Sequence, residues 1–105
     1  MVSKFDVVLV NLDPSVGKEC QKTRPCVVVS PTDLNNKLGT VQIVPLMSAK
    51  RGWVFRPVVQ NKVESEVAID QIRAINKTRI IRNLGHLSAE DAEKVQVVLE
   101  AFYAR

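Results

Sequence analysis

Histidine occurs once in this chain, at His86, and cysteine twice, at Cys20 and Cys26. One imidazole excludes a multi-histidine metal site, and it excludes a pair of histidines acting as acid and base within one chain. Two thiols are too few for the disulfide framework of a small secreted domain, and no further ligands accompany them to complete a zinc site. They read as reduced thiols, with Cys26 in the core. No Walker loop, GxGxxG or GxSxG is present, which argues against nucleotide-dependent and hydrolase-fold chemistry. Long apolar runs are missing too, so no membrane span is expected. The opening "MVSKFDVVLVNLDP" is broken by Asp6 and lacks a small-residue cleavage site, so it does not read as a signal peptide. The expectation is a cytoplasmic protein without membrane, metal or cofactor.

What is present fits one domain, residues 1–105, with 46% hydrophobic and 25% charged residues, close to globular averages. There is no repeat, low-complexity tract or linker. A net charge of +4 favours phosphate-bearing polymers as partners.

Five or six strands and one helix are expected. Phe5–Leu12 is β-branched and ends at the turn signal "DPSVG". Pro25–Ser30 is nearly continuously apolar, as a strand buried on both faces would be, with Pro25 as its first residue. "PTDLNNKLG" reads as a loop with at most one helical turn, followed by a strand at Thr40–Leu46. Further strands are predicted at Trp53–Gln60, with Pro57 at an edge or bulge, and at Glu66–Ile75, with a bend near Asp70. "TRIIRNLGHL" predicts a short strand ending at Gly85. From Ser88 the period changes: Ser88 and Asp91 form an S-x-x-D cap, and Val95, Val98, Leu99 and Phe102 share one helical face. Strands closed by a terminal helix, without βαβ alternation, point to an α+β, mainly β fold, a small antiparallel barrel.

The charge is unevenly placed. In "GKECQKTRPCVVVS" (Gly17–Ser30), Lys18, Glu19, Lys22 and Arg24 stand at the mouth of a strand bound for the interior. Loops and strand ends are where a rigid sheet displays function.

That stretch resembles the G-x-E-Q-x-x-x-R-P-x-V-V-x-S pattern of the MazF/PemK toxins of type II toxin–antitoxin modules, which share a fold with the gyrase poison CcdB. "VNLDPSVG", "VPLMSAK" and "DQIRAINKTRI" extend the likeness from about Val8 to Leu87. It implies an SH3-like barrel with a C-terminal helix, a homodimer, a cognate MazE-like antitoxin with an acidic, initially disordered segment, and metal-independent, sequence-selective cleavage of single-stranded RNA. Such cleavage uses the RNA's own 2′-hydroxyl as nucleophile and leaves a 2′,3′-cyclic phosphate and a 5′-hydroxyl. A base takes the proton, a cation steadies the phosphorus, and an acid protonates the leaving oxygen.

The resemblance implies roles residue by residue. Arg24, a planar fork for two phosphate oxygens, is the candidate phosphate clamp. Glu19 serves as base or orients Arg24. Lys18 adds phosphate affinity or is an ordinary solvated lysine. Relatives carry Thr where this chain has Met47; Ser48 supplies the hydroxyl through a shift that needs a bulge or strand end, or the site is weakened. Asp70 and Gln71 match a segment near the groove, which implies contact with RNA for both, and in some members the Asp is implicated in cleavage. Lys50, Arg51 and Trp53 make a cationic and aromatic set suited to single strands, with packing the alternative for Trp53 and the preferred reading for Phe55. Arg73 and Arg79 track phosphates or are structural, and His86 reads as structural. The competing functions are a non-catalytic CcdB-like topoisomerase inhibitor, or a degenerate toxin that acts by binding, and, ranked last, a general nucleic-acid-binding barrel.

Overall fold

A computed structural model describes residues 2–14, 16–19 and 22–105; Cys20 lies outside them. Among the described residues, seven strands and two helices form in the order β1 (Asp6–Asn11), β2 (Thr23–Val28), α1 (Thr32–Lys37), β3 (Thr40–Met47), β4 (Val58–Asn61), β5 (Val63–Val67), β6 (Arg73–Asn76), β7 (Ile80–His86) and α2 (Ala89–Tyr103), with 3₁₀ turns at Ile69–Gln71 and Lys77–Arg79. The antiparallel order β4-β5-β3-β2-β1-β7 curls into a partly open barrel, and β6 also pairs with β3.

Central strands bury both faces. Val27 and Val29 join one cluster with Val7, Val44 and Leu46, while Cys26 and Val28 join another with Val8, Val10 and Ile43. The continuous apolar run at Cys26–Val29 is thus explained, because alternate residues feed two cores. Pro25 is the third residue of β2 rather than the first. Leu12 donates to Lys22, which turns residues 22, 24 and 26 toward β1 and leaves the Pro25 nitrogen facing β3. The β2–β3 ladder opens only at Cys26, so the donor that Pro25 lacks is not used there.

Strand β3 changes partner along one edge. Thr40–Ile43 pairs with β6 and Leu46–Met47 with β5. The chain must cross between these partners, and the 3₁₀ turn Ile69–Gln71 makes that crossing, held by Ala68 N–H donating to the Pro45 carbonyl at 2.9 Å. The expected continuous strand Glu66–Ile75 is corrected accordingly: Val67, Ala68 and Ile69 are all buried, so period-2 alternation stops where the chain turns. The expected strand Trp53–Gln60 is corrected as well. Its first half is a turn, with Arg56 N–H donating to the Trp53 carbonyl at 3.0 Å, and only Val58–Asn61 enters the sheet.

Helix α1, six residues long, lies in the stretch read as a loop with one helical turn, and extends somewhat beyond a single turn. Helix α2 starts as expected, Ser88 Oγ accepting from Asp91 N–H at 3.1 Å. The buried Asp91 also accepts from Gln60 N–H at 3.0 Å, pinning the helix start to β4. Val95 enters the core with Ala92, Val98 and Leu99 beside it, whereas Phe102 lies beyond the core and meets the Phe55 ring edge-on at 6.4 Å.

Candidate functional site

Four segments meet at a groove of ≈ 720 Å³: the loop before β2 (Gly17, Lys18, Glu19, Lys22), the strand ends (Arg24, Met47), the loop before β4 (Arg51, Trp53, Arg56) and the crossing turn (Asp70, Gln71). Five cations face two carboxylates there, which suits a polyanion. Of the residues singled out from the sequence, Arg24, Glu19, Lys18, Arg51, Trp53, Asp70 and Gln71 come together.

Arg24 stands near the start of β2, between Thr23 and Pro25, with rigid pairing to Val10 behind it. Its Nη1 donates toward the Met47 sulfur at 3.8 Å, and its buried Nε has no hydrogen-bond partner among the described residues. No carboxylate of the described residues pairs with it. A guanidinium so placed has no carboxylate among the described residues competing for its charge. Glu19 lines the same groove, but its Oε1 accepts from Val16 N–H at 2.7 Å, so that oxygen shapes its own loop.

Ser48 is not brought into the groove. Met47 is the last residue of β3, and its side chain takes the groove side. Ser48, exposed just beyond the strand, lines a neighbouring depression of ≈ 280 Å³ together with Thr23, Asn61 and Ser65. Arg24 borders both spaces. Lys50 is likewise outside the groove lining and is ion-paired with Glu64. Arg73 donates to the Leu12 carbonyl at 3.3 Å and Arg79 to the Asp13 carbonyl at 2.6 Å, so both tie down the end of β1. His86 pairs with Asp6 at 2.9 Å, a structural contact far from these residues in the sheet.

Sequence reasoning missed two residues. Arg56, 7% exposed, places Nε and Nη2 each 2.9 Å from the two Asp70 carboxylate oxygens, while its guanidinium lies 4.6 Å from the Trp53 ring centroid. These hydrogen bonds hold the Asp70 carboxyl below the usual carboxylate range. Glu66, 1% exposed, accepts through Oε2 from Arg51 N–H at 3.0 Å and Gly52 N–H at 2.9 Å. Those two backbone donors hold its carboxyl low despite burial, which acts the other way. Gly52 supplies the left-handed φ of 73° that presents this pair of amides. A charged residue inside the apolar run "WVFRPVV" was the available signal for Arg56.

Residues 3–103 match the family described as PemK-like, MazF-like toxin of type II toxin-antitoxin system. The chain belongs to that toxin family. The endoribonuclease toxin MazF of Escherichia coli (strain K12) is 36% identical over 81 residues, covering 71% of this chain and 73% of that protein. The endoribonuclease EndoA of Bacillus subtilis (strain 168) is 28% identical over 111 residues, covering 95% and 92% respectively. Among solved structures, MazF (Form-I) from Deinococcus radiodurans superposes with a TM-score of 0.85 at 25% identity, covering 96% of this chain and 94% of that one. The barrel closed by a terminal helix is therefore the fold of this toxin family, as the resemblance implied.

Proposed function

We propose that this toxin-family chain is an endoribonuclease that cuts single-stranded RNA by attack of the RNA's own 2′-hydroxyl, with Arg24 as the phosphate clamp. The observation that carries the reading is Arg24 itself: a guanidinium held by a rigid strand, facing a cationic groove, and without a carboxylate partner among the described residues. As the 2′-oxygen attacks, charge builds on the non-bridging phosphate oxygens, and a planar donor fork already oriented toward them lowers that barrier most. A delocalised guanidinium keeps its charge, which makes Arg24 an electrostatic stabiliser rather than a proton donor. Glu19, which lines the same groove, is the base candidate. This chemistry draws its nucleophile from the substrate and calls on no metal.

Lys18, Lys22 and Arg51 would carry the flanking phosphates, and Gln71 and Trp53 a base. The same cationic groove suits the acidic, initially disordered segment of a MazE-like antitoxin, and the working unit would be a homodimer. A topoisomerase inhibitor acting by binding alone leaves Arg24, without a carboxylate partner among the described residues, no task and is not favoured.

The test is incubation of the purified chain with a long single-stranded RNA in EDTA, followed by mapping of the ends. Discrete cuts with 2′,3′-cyclic phosphate and 5′-hydroxyl termini are expected. RNA left intact by a preparation that still arrests growth when expressed would sink the nuclease reading.

A further inference from the structure

Trp53 is the chain's only tryptophan, and 43% of its surface is open to solvent at the groove. An indole on a loop ordinarily samples several rotamers, and as a stacking surface it would lose affinity to the entropy of being fixed. Here three neighbours hold it, the first being the Arg51 guanidinium at 5.6 Å from the ring centroid. The Arg56 guanidinium lies 4.6 Å from the ring centroid, and the Phe55 ring stacks on it at 5.3 Å with planes 29° apart. Arg56 in turn cannot swing away, because two 2.9 Å hydrogen bonds tie its fork to both oxygens of Asp70 on the crossing turn. The backbone on the N-terminal side of the ring is fixed independently by Glu66, through the amides of Arg51 and Gly52.

We propose that Arg56 is a positioning residue for RNA recognition: clamped by Asp70, it fixes Trp53 as a flat platform on which one base of the strand stacks, beside the phosphate held by Arg24. This rests on the ribonuclease reading and deepens it. The clamp divides the groove into two ends. Around Arg24, Lys18 and Lys22 the positive charge is unneutralised by ion pairs among the described residues, and phosphate binds there. At the Trp53 end the Arg56 charge is matched by Asp70, which leaves Arg51, 5.6 Å from the ring centroid, to hold a flanking phosphate while a neutral, polarisable base stacks on the indole. Asp70 then acts through Arg56 and not on the reacting phosphate, which reassigns a residue whose family position suggested direct contact with RNA.

The lone indole makes this measurable. The probe is a pool of fully 2′-O-methylated single-stranded oligonucleotides of random sequence, end-labelled, which lack the free 2′-hydroxyl and cannot be cut. Label anisotropy reports binding and Trp53 emission reports stacking. Expected for the unaltered chain is quenching of Trp53 over the same concentrations that raise anisotropy. Arg56→Ala should weaken binding about ten-fold, the scale of one lost stacked base, and abolish most of the quenching. On cuttable RNA the loss should fall on KM more than on kcat. Asp70→Asn, which keeps the volume and weakens the clamp, should give a smaller change in the same direction, and serves where Arg56→Ala fails to fold by circular dichroism. Arg56→Lys should stay impaired, since an ammonium cannot engage both Asp70 oxygens while covering the ring.

Binding without any change in Trp53 emission overturns this inference and leaves the nuclease intact. Quenching by Arg56→Ala and Asp70→Asn equal to that of the unaltered chain overturns it too. No anisotropy rise, together with uncut ordinary RNA, overturns the ribonuclease reading and this one with it.

Discussion

Arg24 Nη1 lies 3.8 Å from the sulfur of Met47, at the place where the family pattern puts a threonine hydroxyl. A thioether is a weak acceptor and donates nothing, so under the proposed reaction this edge of the groove would offer the scissile phosphate one hydrogen bond fewer than a threonine hydroxyl there. Ser48 cannot replace it from its neighbouring depression, because successive residues at a strand end face opposite ways.

Met47→Thr should therefore raise the single-turnover cleavage rate, by about ten-fold if the hydroxyl makes one added hydrogen bond to the charged transition state. Ser48→Ala should leave that rate unchanged. A rate profile in which Ser48→Ala is damaging and Met47→Thr inert would show that the hydroxyl reaches the phosphate by a rearrangement of this strand end.

Arg24→Ala should cut the rate by about 10² to 10³ while leaving the circular dichroism unchanged, since the side chain makes no ion pair with the described residues. Arg24→Lys should recover little of it, as a point charge on a flexible stem does not reproduce a bidentate fork. Full activity in the lysine variant would reduce Arg24 to general charge attraction.

The elements that set this geometry differ in how plainly the sequence announces them. Cys26–Val29 and the Ser88 cap are local signals, an apolar run and a side-chain oxygen three residues before its donor, and both appear where expected. The break at Ile69–Gln71 is not local. It arises because β3 changes partner from β6 to β5, a fact about strands far apart in the chain. Trp53 and Phe55 have strand-forming side chains, yet the local contact of Trp53 with Arg56 and the tertiary contact of Phe55 with Phe102 go with a turn. The site splits the same way: Arg24 and Glu19 were legible from one contiguous motif, whereas Arg56 with Asp70 and Glu66 with Arg51 are pairs made across loops by folding.

Glu66→Gln should destabilise the chain by about 1–3 kcal/mol at pH 7, the range for hydrogen bonds to a charged group, and should loosen the Arg51–Trp53 segment. The measurement is urea unfolding together with Trp53 emission. An unchanged midpoint would mean that the neutral amide oxygen serves the two backbone donors equally well.

The low-held carboxyls of Glu66 and Asp70 also fix a pH dependence. Both are held below the pKa of about 4 that they regain on unfolding, so the unfolded chain binds protons more readily than the folded one. Their stabilisation is complete above that ordinary value and is lost as pH falls through the folded values beneath it. The midpoint of thermal unfolding should thus be flat with respect to these two groups from pH 7 to about 5 and fall steeply below about 4. In the Glu66→Gln, Asp70→Asn double variant the chain is less stable at neutral pH but the acid fall should be shallower, the two curves converging toward low pH. Parallel curves would assign the acid sensitivity to other carboxylates.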